Sequence, residues 1–164
     1  MKYAVTGNSK RFGKLITDEL TNRKIPYIGF SRTTGYDFSD VEKIIRDSAD
    51  CDVFINNACV KNCQVEILAK FYEAYHNTNK TIVNIGSFIT EVDVVNIAPH
   101  LIYEQSNKLQ LRYMSEMMVR SSSSLTVKYM SWGFHLGNPI LEYFPHLLDA
   151  TTIPEAIDQI ITQW

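Results

Sequence analysis

The stretch Met1-Lys2-Tyr3-Ala4-Val5-Thr6-Gly7-Asn8-Ser9-Lys10-Arg11-Phe12-Gly13 decides how the rest of the chain is read. Its first half is a short β-rich run and its second half is a turn containing two glycines. Phe12, Leu15, Ile16 and Leu20 then recur at helical spacing, which leaves Lys14, Asp18 and Arg23 to face water. A strand that turns straight into a helix aims the free N–H groups and positive dipole end of that helix at the turn, which is an anion-binding geometry. Gly7 permits the tight turn and Gly13 permits close approach of helix to strand. Asn8, Ser9, Lys10, Arg11 and Phe12 complete the candidate phosphate-binding set.

Outward from this turn, β-rich runs alternate with amphipathic stretches. Strands are expected at Tyr3 to Thr6, Tyr27 to Phe30, Val53 to Asn56, Thr81 to Ile85 and Leu125 to Met130, with a short further one before Asp37. Helices are expected between the first two strands and at Val41 to Ser48, Val65 to Tyr75, Glu104 to Arg120 and Pro154 to Thr162, the last with Pro in its first turn. Such alternation predicts an α/β fold, a Rossmann-like doubly wound parallel sheet of about six strands in three αβα layers. With 164 residues, 45% of them hydrophobic, the chain reads as one domain spanning residues 1–164. No internal repeat or low-complexity segment interrupts it.

Composition excludes several classes. The net charge of -2 comes from 16 basic and 18 acidic residues without a run of like charge, so nucleic acid is not an expected partner. No apolar run approaches the roughly 18 residues of a membrane span, and the first residues lack the apolar core of a secretory signal. Cys51, Cys59 and Cys63 form neither a disulfide framework nor a zinc-ligand pattern, and Cys59 and Cys63, four apart, read as inert thiols. A reducing cytoplasm is the expected compartment, and no metal is expected.

Four runs together carry a family resemblance. Asp52-Val53-Phe54-Ile55-Asn56-Asn57-Ala58-Cys59 is similar to a strand ending in Asn-Asn-Ala-Gly, with Cys59 in place of the glycine; Thr81-Ile82-Val83-Asn84-Ile85-Gly86-Ser87 ends in a serine; Tyr103-Glu104-Gln105-Ser106-Asn107-Lys108 is similar to Tyr-x-x-Ser-Lys; and Thr6 to Gly13 is the phosphate turn. In this combination the chain resembles the short-chain dehydrogenase/reductase family. The resemblance implies a nicotinamide dinucleotide, with Asn57, Ala58 and Cys59 beside its ribose, Asp37 and Phe38 at its adenine, and Gly133 near the nicotinamide. It implies catalytic roles for Ser87, which orients a substrate carbonyl, for Tyr103 as proton donor, and for Lys108, which favours the phenolate and binds the nicotinamide ribose. Arg11 replaces the middle glycine of the family turn. It either blocks approach to the pyrophosphate or binds it through charge-assisted hydrogen bonds. Similar turns in pteridine and dihydromonapterin reductases favour the second alternative.

The tyrosine and lysine are one residue further apart than in the family. Four residues along a helix advance about 400° and five about 500°, so Tyr103 and Lys108 share a face only if the helix is interrupted. Three outcomes follow: the helix begins after Tyr103 and Lys108 still reaches the site; Asn107 takes the ribose contact; or the site only binds a dinucleotide. At the end of the second strand, where NAD-binding folds usually carry an acid, stand Ser31 and Arg32. A hydroxyl donor and a guanidinium suit a 2′-phosphate, so NADP(H) is preferred over NAD(H), the alternative being that Arg32 is an ordinary surface residue. Fewer residues than usual separate Asn57 from Ser87, and the family's final strand is missing after Pro154. The expected function is therefore NADP(H)-dependent reduction of a small carbonyl or pterin-like substrate. The alternative is an impaired dinucleotide-binding module, and a homodimer is compatible with either.

Overall fold

The computed structural model describes residues 1–121, 124–131 and 153–162. Five strands, β1 (Tyr3–Thr6), β2 (Tyr27–Phe30), β3 (Val53–Asn56), β4 (Thr81–Ile85) and β5 (Thr126–Met130), form one parallel sheet in the order β2-β1-β3-β4-β5. Helices α1 (Arg11–Asn22), α2 (Val41–Asp47), α3 (Cys63–Tyr75) and α4 (Ile102–Val119) make the crossovers, and α5 (Ile153–Thr162) follows the sheet.

Alternation along the strands divides the core in two. Tyr3, Val5, Val53, Ile55, Val83 and Ile85 point to one face, where they meet Ile16 and Leu20 of α1 and Ile157, Ile160 and Ile161 of α5. Ala4, Phe30, Phe54, Ile82 and Val127 point to the other, against Ile44 of α2, Leu68 and Phe71 of α3 and Leu111 of α4. The result is the expected three-layer αβα arrangement. Helix α5 is tied down at both ends of its contact by the Tyr3 hydroxyl donating to the Ile161 carbonyl (2.9 Å) and by Arg23 paired with Asp158 (2.8 Å).

The short strand expected before Asp37 does not form, so the described sheet has five strands rather than about six. Residues 32–34 make a single 3₁₀ turn instead. Ser31 and Thr34 cap it reciprocally, Gly35 leaves it with φ 83°, and Asp37 accepts hydrogen bonds from the Ser39 backbone and hydroxyl (both 2.9 Å). These short polar side chains satisfy the local backbone and compete with sheet pairing. Helix α4 begins at Ile102, before Tyr103 rather than after it. No helix among the described residues is long and apolar enough to cross a membrane.

Candidate active site

Sheet order reverses between β1 and β3, and in a doubly wound sheet the strand ends at that point splay open into a crevice. A cleft of about 980 Å³ lies there, at the upper end of the roughly 300–1,000 Å³ typical of ligand pockets. Thr6 ties the end of β1 to the segment that follows β3. The Thr6 hydroxyl accepts from the backbone N–H groups of Asn57 (2.8 Å) and Ala58 (2.9 Å), and the Asn57 side chain donates back to the Thr6 carbonyl (3.0 Å).

The phosphate turn forms one wall. Gly7 adopts φ 71°, and its N–H bonds the Phe30 carbonyl at 2.8 Å. A Cβ on Gly13 would overlap the Gly7 carbonyl oxygen, so the close approach anticipated for Gly13 is present. Lys10, the N-cap of α1, makes no side-chain capping hydrogen bond. Gly7, Ser9, Lys10, Arg11, Phe12 and Gly13 line the cleft. Asn8 does not; its side chain packs instead against Gly29. Arg11 holds φ 51°, a left-handed conformation that glycine adopts without strain. Arg11→Gly is therefore expected to raise unfolding free energy by about 1 kcal/mol, the strain relieved less the entropy added to the unfolded chain, as read by urea denaturation.

Ser31, Arg32 and Thr33 line the end of the cleft beyond β2. The Ser31 hydroxyl is buried and shares hydrogen bonds with Thr33 (2.8 Å) and Thr34 (3.2 Å), while Arg32 is exposed. Phe38 lines the cleft but Asp37 does not. The two bonds from Ser39, chiefly, hold the Asp37 carboxyl below its ordinary range.

At the other end, Asn57, Ala58 and Cys59 after β3 and Ser87 after β4 line the cleft together with Lys108. Lys108 is 5% exposed. Its ammonium donates to Gln64 Oε1 (2.6 Å) and to the Ile85 carbonyl (3.0 Å), and burial pushes its pKa below the ordinary 10.5, opposed by Cys59, Glu104 and Cys63. Gln64 is itself fixed, donating to the carbonyls of Asn56 (2.7 Å) and Ile85 (3.0 Å). Asn56 in turn donates to Asn84 and Asn84 to Ser115.

With α4 helical through Ile102 to Val119, Lys108 and Tyr103 cannot share a face, and Lys108 takes the inward one. Tyr103 is 60% exposed and does not line the cleft. Asn107 also points away, donating to the Lys61 carbonyl at 3.0 Å. The residue that stands one turn before Lys108, on the cleft, is Glu104. Gly133 lies outside the described residues. Thr33, Gln64 and Glu104 were missed by sequence reasoning. For Glu104 a signal existed, since it lies four residues before the lysine; for Gln64 there was none. Among the described residues no group of three or more His, Cys, Asp or Glu side chains could hold a metal ion.

The sequence matches no family model and no curated protein. Solved structures do match. A short-chain dehydrogenase from Burkholderia cenocepacia J2315 in complex with NADP superposes with a TM-score of 0.74 at 17% identity over 99% of this chain and 83% of that one. A short-chain dehydrogenase from Sphingobium yanoikuyae in complex with NADPH gives 0.62 at 15% identity, over 80% of this chain and 70% of that one. A serine dehydrogenase complexed with NADP+ gives 0.63 at 14% identity, over 98% and 87%. The chain thus has the Rossmann-like fold of the short-chain dehydrogenases/reductases.

Proposed function

We propose that the cleft binds NADP(H) and that the chain is an oxidoreductase acting on a small carbonyl or imine-type substrate. The observation that carries this reading is the convergence of the α1 N-terminus with Lys10, Arg11 and Arg32 on one cleft at the switch point of the sheet. The residues suit the coenzyme: Gly13 lets α1 pack directly against the Gly7 carbonyl, and two guanidinium groups and an ammonium line the same cleft. Three similar structures hold NADP, NADPH or NADP+.

A bound nicotinamide supplies hydride chemistry. Around it, this chain's residues hold, orient and shield. The α1 terminus and Arg11 bind the pyrophosphate, and Arg32 with Ser31 takes the 2′-phosphate. Lys108 has one of its three N–H donors left for a ribose hydroxyl, since Gln64 and Ile85 engage the other two. The Ser87 hydroxyl, on the cleft wall after β4, orients the acceptor atom. Tyr103 has no position from which to pass a proton into the cleft. That exposure favours a second reading, a dinucleotide-binding module without turnover.

The coenzyme reading is tested by NADPH fluorescence titration. Absence of saturable binding at millimolar coenzyme overturns it. Arg32→Ala is expected to weaken NADPH by about 1.5 kcal/mol while leaving NADH nearly unchanged, because one charge-assisted hydrogen bond is removed. An equal loss for both coenzymes would refute the role given to Arg32. NADPH oxidation over a panel of carbonyls and imines separates the two readings: rates at background with NADPH binding retained leave the module.

A further inference from the structure

Glu104 is the acidic residue in a cleft whose other charged lining residues are cations. Lys10, Arg11 and Arg32 stand toward β1 and β2, whereas Glu104, Lys108 and Ser87 stand at the β4 end. Glu104 and Lys108 are four apart on α4 and share its cleft-facing side. Lys108 is committed to Gln64 and Ile85. Glu104 is half-buried, makes no hydrogen bond or ion pair among the described residues, and acts on Lys108 and Cys59 through its charge alone. A carboxylate in the first turn of a helix is favoured by the helix dipole. That accounts for an acid in this turn, but not for its facing a cleft.

We propose that Glu104 makes the β4 end of the cleft a site for a substrate bearing a cationic nitrogen, an iminium ion, rather than a neutral ketone; this rests on the NADP(H) reading. Reduction of a ketone leaves an alkoxide that must collect a proton, and the two phenols of this helix, Tyr103 and Tyr113, are 60% and 65% exposed and off the cleft. An iminium ion has no such need. A hydride donated by the reduced nicotinamide forms a C–H bond at the iminium carbon, and the C=N π pair returns to nitrogen. The products are a neutral amine and the oxidised coenzyme, with no proton drawn from the protein. A carboxylate beside the nitrogen stabilises the cation that enters, and does so more strongly in a partly desolvated cleft than in water.

The test uses the full chain saturated with NADP+ and two probes of matched shape, the N-methyl-3,4-dihydroisoquinolinium ion and neutral 1-tetralone, each titrated calorimetrically. Wild type should bind the iminium about tenfold more tightly than the ketone, and Glu104→Gln should lose about that factor for the iminium alone. NADPH affinity should be unchanged in Glu104→Gln, and Tyr103→Phe should match wild type with both probes. Preference for the ketone, or equal losses for both probes in Glu104→Gln, overturns the proposal. If the chain binds no coenzyme, that reading fails by itself. The same titrations on the coenzyme-free chain then decide the role of Glu104, iminium selectivity lost in Glu104→Gln supporting it and its absence refuting it.

Discussion

Gln64→Leu is expected to lower unfolding free energy by about 3–5 kcal/mol, because it strands a buried ammonium. Gln64 Oε1 is the side-chain acceptor for Lys108 Nζ at 2.6 Å, and the Gln64 amide also serves the carbonyls of Asn56 and Ile85. Leucine removes all three bonds without opening a path to water. For a chain of this length the loss corresponds to a fall in Tm on the order of 10 °C. Lys108→Met should cost far less, since the charge leaves with its partner bond and the orphaned group is a neutral amide oxygen. The double variant Gln64→Leu/Lys108→Met should then recover at least half of what Gln64→Leu loses. Additive losses in urea denaturation of the two single variants and the double would show that the pair is not coupled.

The same pair sets a pH dependence with a definite sign. Burial holds the folded pKa of Lys108 below the 10.5 of an unperturbed lysine. Between those two values the unfolded chain binds more protons than the folded chain, so the contribution of Lys108 to stability rises with pH through that window. It is complete above 10.5 and is lost as pH falls through the folded pKa. Lys108→Met removes this slope. The stability of wild type relative to Lys108→Met should therefore improve from neutral pH toward pH 10. A constant difference would mean that the ammonium is not desolvated.

Gly13→Ala is expected to cost about 3 kcal/mol and to abolish high-affinity NADPH binding. A methyl group there would overlap the Gly7 carbonyl oxygen and sit 2.6 Å from Asn57 Nδ2 and 2.8 Å from the Gly7 carbonyl carbon. Neither neighbour can yield. Gly7 is held by its bond to Phe30, and Asn57 by its bond to Thr6. The helix must lift from the sheet, and the start of α1 that lines the cleft lifts with it. Gly35→Ala is the control: open space surrounds that position, so only its φ of 83° is penalised, by roughly 1 kcal/mol. If Gly13→Ala melts and binds NADPH as Gly35→Ala does, the turn is not the seat of the coenzyme.

What the sequence by itself determined is everything that repeats or is local. The short β-rich runs Tyr3–Thr6, Val53–Asn56 and Thr81–Ile85 specified strands, and the spacing of Phe12, Leu15, Ile16 and Leu20 specified the helix that follows the turn. The glycines of the turn and the cation at Arg32 were equally legible, because a tight corner and a positive charge on the cleft each depend on one residue type. Only the tertiary structure decided the phase of α4. Periodicity locates a helix to within a residue or two at its start, but one residue rotates every side chain by about 100°. The phase was set from outside the helix, by Gln64 and the Ile85 carbonyl drawing Lys108 inward. That turned Glu104 onto the cleft and Tyr103 into solvent, an exchange written in contacts 23 and 44 residues away in the chain.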